Sequence, residues 1–122
     1  AAAKVMELVC HIKLDIELVA RRCLPELLFK QPVSDETKDS VKADLQRGMV
    51  ALERILVASP YAAGDEITLA DYYVFYSFGL ATGVAHSVLG INLLADHSRV
   101  QSVIDKMAEH PSVMRVEAEK AA

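Results

Sequence analysis

A chain of 122 residues is the size of one domain and is long enough to bury a core. Its hydrophobic share is 52%, its formal net charge is −4, and no basic block interrupts the mixture of acids and bases, which argues against a nucleic-acid partner. No apolar run approaches bilayer length, and five Gly with four Pro are too few for a turn-rich all-β chain.

The first predicted element is a long amphipathic helix from about Ala2 to Phe29. Val5, Val9 (or Leu8), Ile12, Ile16, Val19, Cys23 and Leu27 recur at three and four, with Met6, Cys10, Leu14 and Leu18 as a flanking stripe. Lys4, Glu7, His11, Asp15, Arg22 and Glu26 form the polar face. His11/Asp15, Lys13/Glu17, Glu17/Arg21 and Arg22/Glu26 are i,i+4 pairs. Pro25 removes one ladder hydrogen bond, so the helix should kink or end near Cys23 or Leu24 and continue at a new angle through Lys30. Cys10 and Cys23 lie on this one helix, roughly 20 Å apart, beyond disulfide reach. They are expected to be reduced core residues in a cytoplasmic protein.

Gln31 to Val33 is a loop, and Ser34 caps a second helix that runs to about Ala58, with Asp35 and Glu36 in its first turn. Val41, Leu45, Met49, Leu52 and Ile55/Leu56 form its apolar stripe. Gly48 in the interior costs about 1 kcal/mol against Ala and fits either close approach of another helix or simple tolerance. Pro60 and the Gly64-Asp65 turn belong to a compact loop from Ser59 to Ile67.

Thr68-Leu69-Ala70-Asp71 has the spacing of a capping box. The Thr68 hydroxyl accepts from the N3 N–H, and the Asp71 carboxylate reaches back to the N-cap N–H; Ile67 and Tyr72 are placed as a hydrophobic staple. The third helix, from Leu69 to about Ala81 or Val84, is apolar nearly all round and is expected to be buried among the others. A short irregular helix fits before Leu94. Asp96 or Ser98 is expected to cap a fourth helix ending near Glu109. Pro111 at N1 behind His110 opens a last helix through about Lys120. No strand alternation or repeat is present. The fold class is all-α, a single domain over residues 1–122.

Catalytic constellations are missing from this reading. His11, His86, His97 and His110 have no metal spacing, and no P-loop, G-x-G-x-x-G or G-x-S-x-G occurs. His11 with Asp15 reads as a solvated pair. Arg21-Arg22 beside Asp15 and Glu17 reads as surface pairing.

The segment from Ser59 to Asp71 resembles the loop and N-capping box of the C-terminal domain of glutathione S-transferases. Glu17-Leu18-Val19-Ala20-Arg21-Arg22 with Pro25-Glu26 resembles the fourth helix of bacterial members, and Glu109-His110-Pro111-Ser112-Val113 resembles the turn opening the family's last helix, with His110 in place of the more usual Arg. The resemblance covers nearly the whole chain. It implies a bundle of about five helices, and a fragment of a longer two-domain protein whose N-terminal thioredoxin-like domain would bind glutathione and supply the activating residue. No catalytic residue carries over to this chain. Its role would be one wall of an apolar electrophile site, lined by His11, Leu14, Asp15 and Leu18, with Arg22 lower down. The resemblance also implies a homodimer through the first two helices, glutathione as co-substrate, and no metal, membrane or nucleic-acid partner. The rival expectation is a non-catalytic interaction module of the same fold, as in translation and tRNA-synthetase assemblies.

Overall fold

A computed structural model describes residues 2–121, and every element among them is helical. Helix α1 covers residues 2–21. It is α-helical over Ala2–His11, widens to a π-helix over Ile12–Glu17, and returns to α over Leu18–Arg21. Arg22 and Cys23 break it, and Pro25, in the first turn of α2 (Leu24–Phe29), shows why: its missing N–H is harmless there. The expected change of angle is thus a separate helix. Lys30, in the left-handed region, closes it.

Helix α3 is Asp35–Ile55. The Ser34 hydroxyl accepts from the Thr37 N–H at 3.1 Å, so the expected cap forms. The helix stops three residues short of the expected Ala58. Arg99 accounts for its C-terminal end: the guanidinium donates to the carbonyls of Glu53 (2.7 Å), Leu56 and Val57 (3.2 Å), acceptors that would otherwise be orphaned. Glu26 ties α2 to the start of α3 by accepting from the Val33 N–H and from Lys38, each at 3.0 Å. These contacts hold the Glu26 carboxyl below its ordinary range, the Val33 N–H contributing most.

Helix α4 is Leu69–Val84, prolonged by a π-helical turn over Ala85–Leu89. Gly90, at φ +67°, ends that turn in a conformation an L side chain rarely adopts, and the Ile91 N–H returns to the Ala85 carbonyl at 2.9 Å. Helix α5 is Ser98–Ala108. Its cap position is held by His97 and not by Asp96 or Ser98: Asp96 sits at φ +65°, which displaces the cap by one residue. Helix α6 is Pro111–Ala121, with Pro111 at its first position and the Ser112 N–H bonded to His110 Nδ1 at 3.2 Å.

Helix α4 is the hub. It packs against α1, chiefly the π stretch, and against α5, while α3 packs on α1. The core contains Leu8, Ile12 and Ile16 from α1, Leu45, Met49 and Leu52 from α3, Phe78 from α4 and Met107 from α5, all 0–1% exposed. Each such side chain contributes about 1.5–3 kcal/mol through burial. Contrary to the expectation for α4, only part of its circumference is covered: Tyr72, Tyr73, Phe75, Tyr76 and Leu80 are half-buried and Gly79 is exposed.

Candidate functional site

Helix α1 carries four stripes at a spacing of four. Leu8, Ile12, Ile16 and Ala20 are fully buried. Val9, Lys13, Glu17 and Arg21 run along the next edge, where Glu17 accepts a bond from Ser77 of α4. Met6, Cys10, Leu14 and Leu18 face outward and are exposed. His11, Asp15 and Val19 line a groove that α3 completes with Asp44, Arg47, Gly48 and Ala51. An α-helix drifts by about 40° at each step of four, whereas a π turn holds about 4.4 residues, so the π stretch keeps these stripes straight. Cys10, expected in the core, is exposed because the outward stripe contains it; Cys23 is buried, and burial, with the neighbouring Glu26, pushes its thiol pKa up. A raised pKa keeps Cys23 protonated and poorly nucleophilic.

The five residues expected to line a substrate wall therefore divide. Leu14 and Leu18, 58% and 43% exposed, form an apolar outward strip one turn apart. His11, Asp15 and Arg22 turn to α3. His11 is not a solvated residue: Nδ1 lies 2.8 Å from Asp15 and Nε2 lies 2.8 Å from the Gly48 carbonyl, so the ring clasps the two helices. Arg22 bonds Asp44 at 2.5 Å in place of the expected Glu26, and Arg47 shares the same carboxylate. The groove itself holds about 350 Å³, and its charges are already engaged with one another.

Glu17 is the buried charge beside the outward strip. One oxygen accepts from Ser77 Oγ at 2.9 Å; the other meets Lys13 and, at 3.3 Å, Arg21 Nε. Burial by itself raises this carboxyl's pKa, but the bonds from Lys13, Ser77 and Arg21 outweigh it and hold the group below the usual carboxylate range. The i,i+4 spacing of Lys13, Glu17 and Arg21 is visible in the sequence; the Ser77 partner, sixty residues away, is not.

A larger cleft, about 620 Å³, opens between α4, α5 and α6. Phe75, Phe78, Leu80 and Ile104 give it apolar walls, and Lys120 crosses its rim above the Tyr76 ring at 5.0 Å. Its volume falls in the range of small-molecule sites. The apolar composition of this face of α4 suits a core equally well, since composition does not distinguish a packed face from a lined cleft.

At the other end of α4, Asp71 is fully buried. Its carboxylate accepts from the Thr68 N–H and the Ala62 N–H, each at 2.8 Å, and so fastens both the helix start and the preceding loop. Ile67 is half-buried against the core, while Tyr72 meets the last helix, with its hydroxyl 3.3 Å from Ser112 Oγ and its ring edge-on to His110. Among the described residues no three His, Cys, Asp or Glu side chains converge as a metal site, and no helix is long and apolar enough to cross a membrane.

The family model described as glutathione S-transferase, C-terminal domain, matches residues 23–119. A glutathione S-transferase of Pseudomonas putida is 40% identical over 120 residues, which are 98% of this chain and 54% of that protein. The chain thus spans about half the length of the curated relative it matches.

Proposed function

Because the chain belongs to the glutathione S-transferase C-terminal domain family, we propose that it forms the electrophile-binding and dimerisation half of a two-domain glutathione transferase. The observation that carries this reading is the outward strip Leu14–Leu18 on α1. Leu14 and Leu18 stay exposed, in line with Met6 and Cys10, on a helix whose Leu8, Ile12, Ile16 and Ala20 are fully buried. Burying such a strip against a substrate or a neighbouring domain is favourable, and a contiguous exposed apolar surface marks a contact. His11, Asp15 and Arg22 support the strip indirectly by fixing α1 on α3.

In this reading a thioredoxin-like domain holds glutathione and lowers its thiol pKa. The thiolate sulfur attacks the electrophilic carbon of, for example, a benzyl halide. The C–S bond forms as the C–halide bond breaks, the halide leaves with the bonding pair, and the thiol proton passes to solvent. The helical domain positions the apolar body, where restricted orientation accounts for much of the gain. Glutathione is a co-substrate, the setting is a reducing cytoplasm in which Cys10 and Cys23 stay free, and the role is detoxification.

Full-length protein incubated with glutathione and a benzyl halide should form the thioether, followed by absorbance. The isolated 122-residue chain should form none above the uncatalysed rate. A full-length protein that binds glutathione and conjugates no halide would instead favour an interaction module of the same fold.

A further inference from the structure

The strip on α1 is electrostatically unbalanced. Around Leu14 and Leu18 stand four cations, Lys13, Arg21, Arg22 and Arg47, against three carboxylates, Asp15, Glu17 and Asp44. On the α3 side the charges cancel: Arg22 and Arg47 share Asp44, and Asp15 meets His11. On the α4 side Lys13 and Arg21 share the one carboxylate of Glu17, so the surplus lies there. Helix α4 brings no acid to that edge; its only carboxylate, Asp71, is buried at its far end on Thr68 and Ala62. Arg21 uses Nε alone for Glu17, and its two terminal nitrogens bond no other described residue. The Arg21 side chain is 48% exposed and stands three residues from Leu18. Glu17 fixes the stem of a fork whose two prongs remain open, which is the geometry that receives a carboxylate in bidentate fashion.

We propose that the electrophile taken by this strip is an apolar molecule bearing a carboxylate, with Leu14 and Leu18 under its body and Arg21 on its anionic group. This rests on the transferase reading above. A matched pair of substrates tests it: a benzyl chloride carrying a para-carboxylate and its methyl ester, each with glutathione and the full-length protein. The acid should show the higher kcat/KM. Arg21→Gln should lower kcat/KM for the acid by about tenfold, through KM, and leave the ester and the KM for glutathione unchanged. Arg21→Lys should restore part of the loss. Leu14→Ala should slow acid and ester alike. Equal turnover of acid and ester by the unaltered protein would overturn the proposal while leaving the transferase reading intact. So would an Arg21→Gln variant that slows both substrates equally or raises the KM for glutathione. Turnover of neither substrate would overturn both.

Discussion

Asp71 holds two main-chain donors at once, Thr68 N–H at the start of α4 and Ala62 N–H in the loop before it, and it does so at zero exposure. Asp71→Ala leaves both without an acceptor in a dry site. The expected cost is about 2–4 kcal/mol, above that of an ordinary cap, with a fall in Tm of about 10 °C by circular dichroism. Asp71→Asn keeps one carbonyl oxygen and should lose about half as much. Glu17 makes the pH dependence of stability specific. Its folded-state pKa lies below the unfolded value, so its contribution is complete above about pH 4.5 and is lost as the pH falls through the lower, folded value. Between about pH 5 and about pH 3 the unaltered protein should therefore lose more stability than Glu17→Gln, as read from urea midpoints at the two ends. Loss of equal size in both would show that Lys13, Ser77 and Arg21 do not stabilise the carboxylate.

At the level of elements, the crossing of α1 and α3 is set by Gly48. A Cβ there would lie 2.7 Å from the Asp15 carbonyl oxygen and 2.9 Å from Ile16 Cδ1. The first of these is backbone and cannot swing aside. Gly48→Ala should thus destabilise by about 1–3 kcal/mol although Ala is the better helix former by about 1 kcal/mol. A variant of raised Tm would mean the helices stand further apart. Helix ends are legible in the sequence because single residues dictate them: Ser34, the Thr68–Asp71 pair, Pro25 and Pro111 act through their own main-chain chemistry. At Gly48 the sequence fits close approach and simple tolerance alike, and only the nearness of the Asp15 carbonyl decides between them. The π stretch is not legible, since Leu8, Ile12, Ile16 and Ala20 at uniform steps of four are compatible with an α-helix until a partner surface fixes their phase. The candidate site is legible as a set of residues and not as an arrangement. Which of His11, Leu14, Asp15, Leu18 and Arg22 face outward depends on contacts with Gly48 and Asp44, more than twenty residues away.

For the molecule as a whole, two faces of α1 and α3 remain open. One is the Leu14–Leu18 strip; the other is the outer surface of α3, where Ala43, Val50 and Ala51 alternate with Arg47 and Arg54 and Val50 is 50% exposed. Small apolar residues among cations suit a flat helix-on-helix contact, and this is the surface we assign to the proposed dimer. Val50→Glu should leave the helical signal intact and shift the full-length protein from dimer toward monomer in sedimentation, weakening association at least about tenfold. An unchanged sedimentation coefficient would place the dimer contact elsewhere.

The wide turn in α1 also has a bearing on chain length. From Leu8 to Ala20 the helix spends twelve residues on three turns; eleven would complete the same three turns as an ordinary α-helix at 3.6–3.7 per turn. A one-residue deletion inside 12–17 would tighten that turn and leave both flanks in phase, whereas the same deletion inside 2–11 would rotate everything before it by about 100°. The segment behaves as slack in the chain: it is the one place in α1 where relatives of this domain can differ in length without the two halves of the helix losing their common face.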